Sequence, residues 1–176
     1  MATLSVGGTK IYDTTTGFPT GHVIQTVKTT TNTLYNIGTS SISSTVNSGM
    51  HLANFDLSIT PAATSSWLII WFSAGAGMQF GTSEVSEIKL RATKTVGGTE
   101  AIVYNTYKGY INDQSGDWNA FSPDFVFYHS PSTISEITFK FYAGVGNASG
   151  DAGHTRINEG DNKVNSGSVI IQEIAG

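Results

Sequence analysis

The residues best equipped for chemistry in this chain are its four histidines and the acids near them. His22, His51, His129 and His154 lie far apart, and no pair has the His-x-x-x-His spacing that sets two imidazoles on one helix face for zinc. Each reads as a surface or hydrogen-bonded polar residue and not as a ligand. The densest polar stretch runs from Asn147 to Lys163. There Asp151, Glu159 and Asp161 could offer oxygens to Ca²⁺, or Asp151 and His154 could share a metal. EF-hand spacing is missing, and turns built from Asn, Asp and Gly account for the stretch equally well. No metal or other cofactor is assigned.

Nucleophilic and phosphate chemistry find no better footing. The chain has no cysteine, which removes disulfides, thiolate metal sites and cysteine nucleophiles together. No Gly-x-Ser-x-Gly elbow is present. Gly75-Ala-Gly77 and Gly144-Val-Gly146 lack the rest of a nucleotide-binding pattern and are expected to mark bulges or close backbone contacts. The expectation is a protein that is not an enzyme. Aromatics are the more informative group. Tyr104, Tyr107, Tyr110, Trp118 and Phe121 share one stretch of low charge. Tyr107, Tyr110 and Trp118 are candidates for a sugar-stacking or protein-contact surface, while filling a second sheet is the rival reading for the group.

Charged residues make up only 12% of the 176, with a net charge of −4. The nine basic residues are scattered, which argues against a partner held by phosphate contacts, and no basic run serves an anionic membrane surface. The most apolar run, Trp67-Leu-Ile-Ile-Trp-Phe72, is of strand length and far short of a membrane-spanning helix. Met1 to Gly8 lacks the basic start and apolar middle of a signal peptide, so the sequence reads as a product of a cytoplasm.

Strands must position whatever surface does the work. Residues 1–21 are rich in Gly and Thr with isolated apolar positions at Leu4, Val6, Ile11, Tyr12 and Phe18, too few for a core. They are expected to form an extended arm whose apolar residues lie on another surface, ahead of one domain over 22–176. Val23 to Lys28 alternates, and Leu52 to Ile59 stops at Pro61. Trp67 to Phe72 is apolar on both faces, as in a strand covered on both sides. Glu87 to Thr93 places Ile88, Leu90 and Ala92 inward and Lys89 and Arg91 outward. Gly97-Gly98 is a tight hairpin turn into Ala101 to Tyr104. Phe125 to His129 ends before Pro131, and Ile134 to Val145 carries Ile137, Phe139, Phe141, Ala143 and Val145 on one face. A loop from Gly146 to about Asn165 precedes the apolar closing strand, Ser168 to Ala175. These spacings predict an all-β, antiparallel jelly-roll sandwich of about eight strands.

Three segments carry a resemblance: Gly21-His-Val-Ile-Gln-Thr-Val-Lys28, the turn Ser58-Ile-Thr-Pro-Ala-Ala-Thr-Ser-Ser66 leading into Trp67, and the close Ser168-Val-Ile-Ile-Gln-Glu-Ile-Ala-Gly176. Together they resemble the virion domains of tailed bacteriophages found in capsid decoration proteins, tail fibres and baseplate appendages. The Pro61 turn is expected to satisfy its backbone through the hydroxyls of Thr64, Ser65 and Ser66. The resemblance implies a jelly roll that commonly trimerises. It points to a capsid decoration (cement) protein bound as a homotrimer to the major capsid protein, in a virion assembled in a host bacterial cytoplasm. The alternative it leaves open is a receptor-binding tail appendage that docks to a tail protein and contacts a host-surface glycan or protein.

Overall fold

Alternation along the sequence becomes buried and exposed faces in a computed structural model that describes residues 3–6, 9–13, 20–38, 40–79, 84–113, 118–145, 154–160, 163–164 and 166–176. Side chains are described for 20–38, 40–76, 88–106, 122–145, 155–158 and 166–176. In chain order the elements are β1 (Thr3–Val6), β2 (Thr9–Asp13), β3 (Val23–Thr31), β4 (Tyr35–Asn36), β5 (Met50–His51), the 3-10 turn η1 (Ala53–Phe55), β6 (Leu57–Ile59), β7 (Trp67–Ser73) and β8 (Ala76–Gln79). There follow β9 (Glu84–Val96), β10 (Thr99–Asp113), β11 (Trp118–Phe121), β12 (Phe125–His129), β13 (Ile137–Val145), β14 (His154–Ile157), β15 (Glu159–Gly160), β16 (Lys163–Val164) and β17 (Gly167–Ile174).

Two sheets face each other. One has the order β3-β17-β7-β12, the other β5/β6-β13-β9-β10, and every pairing is antiparallel. Numbering the principal strands one to eight along the chain, the sheets read 1-8-3-6 and 2-7-4-5. That interleaving of first with last is the jelly roll, and the fold is an all-β sandwich of this class. A further sheet, β4-β14-β8-β11, repeats the order of the first sheet: β4 follows β3, β8 follows β7 and β11 precedes β12 directly, and β14 precedes β17 with only the short β15 and β16 between them. The layer is therefore one four-stranded sheet broken by a transverse kink. Asn158 sits at the break with φ +63°. Its N–H donates to Gly75 O at 2.6 Å and its Nδ2 to Thr33 O at 2.9 Å. The segment expected to be a loop over 146–165 thus holds β14 to β16, because its short Thr- and Arg-containing run is drawn in as an inner strand of the kinked extension.

Local expectations hold where they rest on backbone chemistry. Gly97 and Gly98 have φ of +55° and +82°, the two positive values a two-residue type I′ hairpin needs. At Gly144 a Cβ would lie 2.9 Å from both Ile42 N and Ser40 O, so this glycine marks a close backbone approach. The strand expected from Ile134 begins at Ile137, and Ile134 is exposed in the preceding loop. Residues 3–6 and 9–13, expected as extended arm, pair with each other as an antiparallel ribbon and with no other strand among the described residues. Extended backbone without a sheet partner satisfies its hydrogen bonds by folding back on itself.

The core lies between the sheets. Ile88, Leu90 and Ala92 from β9 and Ile137, Phe139, Phe141 and Ala143 from β13 meet Leu68, Ile70, Phe72, Val169 and Ile171. Phe72 packs on Phe55 and Phe125 with ring centroids 4.9 Å away in each case. Tyr104 stacks on Phe125 and Phe127, so this aromatic belongs to the core. The Pro61 turn differs from expectation. The Ser66 hydroxyl is buried without a partner, and Glu173 serves the turn instead, accepting the Ala62 N–H at 2.7 Å. A carboxylate carried on the terminal strand, and not a local hydroxyl, meets the turn's Ala62 N–H.

A candidate assembly face

The outward side of the β3-β17-β7-β12 sheet is built row by row from strand register. Val126, Trp71, Ile170 and Lys28 stand side by side in one row, and Tyr128, Ile69, Gln172 and Thr26 in the next. Trp67, Ile174 and Val23 form a third. The alternate rows point into the sandwich, led by Phe127, Ile70 and Ile171. The two-faced apolar pattern of Trp67 to Phe72 predicted cover on both sides. Within this chain the described residues cover one side only. Leu68, Ile70 and Phe72 are buried, whereas Trp67 is 51% exposed, Tyr128 68%, Val23 49% and Val126 45%. The physical reason is that the second layer of a two-sheet sandwich lies on one face of each sheet. These outward rows carry a single charged side chain, Lys28. A largely apolar hollow of about 360 Å³ opens between Trp71, Phe72, Phe125 and Val126 at the β12 edge, with Ser73 and Asp124 completing its lining.

The opposite outward face is polar. Glu100 Oε1 accepts from Thr93 Oγ1 at 2.6 Å and from Tyr142 Oη at 2.8 Å, and Lys140 Nζ lies 3.5 Å from Oε2. Burial alone would raise the Glu100 carboxyl, but these two hydroxyls and the Lys140 ammonium outweigh it and hold it below the usual carboxylate range. His51 stacks on Tyr142 with centroids 5.0 Å away and places Nε2 2.9 Å from Asp56 Oδ1. Burial raises the Asp56 carboxyl against that hydrogen bond. Arg91, read as outward, does point outward but is only 3% exposed. The loop over 43–48 closes over it. Its Nη2 donates to Ser43 O at 2.6 Å, Nη1 to the carbonyl of Thr45 and to Val46 O at 3.2 Å, and Nε to Asn105 Oδ1 at 2.8 Å.

The structure sorts the expected site residues unevenly. Leu4 and Val6 lie in β1 and Ile11 and Tyr12 in β2, with side chains outside the described residues, and Phe18 is outside them altogether. Tyr107 and Tyr110 in β10 and Trp118 in β11 have described backbones only, with Tyr107 opposite Lys89 and Trp118 opposite Gln79. Asp151 and Asp161 fall outside the described residues, as do the side chains of His154 and Glu159. Among the described residues no group of three or more His, Asp or Glu converges as a metal site, and no helix is long and apolar enough to cross a membrane. The outward rows are the surface that reading residues singly passed over. The signal was present in the alternate positions of Trp67 to Trp71 and Ile170 to Ile174.

No family model and no curated protein matches this chain. Among solved structures, it is similar to one of infectious bursal disease virus, Gx strain, at 12% identity and a TM-score of 0.40, covering 88% of this chain and 32% of that one. The VP2 subviral particle of the same virus gives 11% identity and a TM-score of 0.39, over 98% of this chain and 37% of that one. Dimeric latent PorU from Porphyromonas gingivalis gives 12% identity and a TM-score of 0.31, over 90% of this chain and 14% of that one. The chain spans about a third of the length of the virus structures it matches. The fold assignment above stands on strand order alone.

Proposed function

We propose that this chain is a bacteriophage virion structural protein, a capsid decoration protein that seats as a homotrimer on the major capsid protein and has no catalytic role. The observation that carries the reading is the apolar, nearly charge-free outward face of the β3-β17-β7-β12 sheet, a surface fit for protein contact. The resemblance of residues 21–176 to phage virion domains supports it. Work of this kind is thermodynamic. A protein bound across subunit seams adds interface that must be broken before the shell can open, and so stabilises it by mass action. Residues 1–21, with Leu4, Val6, Ile11, Tyr12 and Phe18, are the attachment segment in this reading.

The test is imaging of purified phage particles with an antibody raised against the purified chain. Many copies distributed over the shell are expected, and a chain lacking residues 1–21 should keep its oligomeric mass yet fail to bind particles stripped of the protein. Labelling confined to the tail would overturn the decoration reading in favour of the receptor-binding appendage.

A further inference from the structure

We infer that the outward face of β12, β7, β17 and β3 is where this chain packs against further copies of itself. The inference deepens the reading above, on which it rests for assigning particle attachment to a different part of the chain. Three observations commit the face to its own kind. The first is extent. Trp67, Tyr128, Val23 and Val126 together leave on the order of 400 Å² of apolar surface open, the size of the largest patch on an ordinary monomer. With the half-buried Ile69, Trp71, Ile170 and Ile174 and a polar margin of Thr26, Lys28 and Gln172, the face approaches the roughly 800 Å² per partner of a standard interface.

The second observation is charge. The chain carries a net charge of −4, so two copies repel across most orientations. The three rows hold Lys28 and no carboxylate, with Asp124 at their margin lining the hollow, so few like charges are opposed when acidic copies meet here. The same scarcity of cations disfavours an anionic membrane as the occupant. The third is shape. One surface presents both projecting side chains, Trp67 and Tyr128, and an apolar hollow beside Trp71 and Val126. A face with knob and hole together can receive a rotated copy of itself, and closed rotational symmetry is the rule for soluble homo-oligomers.

The experiment is light scattering coupled to size-exclusion chromatography at micromolar concentration. It compares the full chain with Trp67→Lys, with the double variant Val126→Lys/Tyr128→Lys, and with Thr138→Lys on the polar face as control. Trp67, Val126 and Tyr128 are exposed, so the far-UV circular dichroism of their variants should remain that of the unaltered chain. The unaltered chain and the control are expected at two or more times the 18.6 kDa of one chain, and both face variants at 18.6 kDa. A monomeric unaltered chain, or face variants that keep its mass, would overturn the inference. Particle labelling reads the other proposal separately. An oligomer that dissociates in the variants but labels no virion keeps this inference and sinks decoration. A monomer that decorates the shell overturns this inference and the homotrimer but keeps shell decoration.

Discussion

Glu173 accepts the backbone N–H of Ala62 at 2.7 Å, tying the Pro61 turn to a strand 111 residues away. Its other oxygen accepts Gln25 Nε2 at 2.6 Å, and the same amide donates to Thr60 O at 2.8 Å. The carboxylate is fully buried on the inward face of β17, beside Leu68. One side chain thus joins β3, the turn after β6 and the terminal strand.

Glu173→Gln tests that junction. The amide keeps one acceptor oxygen and points an NH₂ at one of two donors. A loss of about 1–3 kcal/mol is expected in urea unfolding, the usual cost of leaving a buried donor unmet. Unchanged stability would mean that the turn closes without it.

Arg91→Lys removes a fork and keeps a charge. The ammonium cannot span Ser43 O, Ser48 Oγ and Asn105 Oδ1 together as the guanidinium does. The expected loss is about 1.5–3 kcal/mol. Amide hydrogen exchange over 43–48 should quicken more than exchange in β13.

Tyr142→Phe should move Glu100. Without the phenol at 2.8 Å the carboxyl keeps Thr93 and Lys140 but loses one of the hydrogen bonds that depress it. Its folded value lies below the unfolded one, so its contribution to stability is present above the unfolded value and lost as pH falls through the folded value. Carbon-13 titration should show the Glu100 value rising in the variant, and acid unfolding should begin at higher pH.

His129 gives the opposite kind of group a pH signature. Burial first, then the charge of Lys94, lowers its imidazole from 6.5 to about 4. Nε2 stands 3.2 Å from Lys94 Nζ, and the ring meets Phe139 edge-on. Neutral His129 therefore accepts from the ammonium at pH 7. Between about 6.5 and about 4 the unfolded chain binds a proton that the folded one refuses, so stability falls as pH drops across that window. His129→Gln should flatten this part of the stability profile, read from thermal midpoints across the window.

Alternation alone was enough to establish an all-β sandwich here, since Ile88, Leu90 and Ala92, or Ile137 to Val145, state their inward face residue by residue. Backbone-limited features were equally legible. Gly97-Gly98 requires positive φ, and Pro61 stops a strand, whatever surrounds them. What the sequence could not settle depended on which strands become neighbours. Alternation turned Arg91 outward without showing the loop over 43–48 that closes on it, and nothing in the closing strand marked Glu173 as the buried partner of the Pro61 turn. Trp67, Ile69 and Trp71 declared a second apolar face without saying what lies against it. Only the 1-8-3-6 strand order places that face on the outside, beside Tyr128 and Ile170, because a two-layer sandwich has one interior and every other apolar row is left facing out.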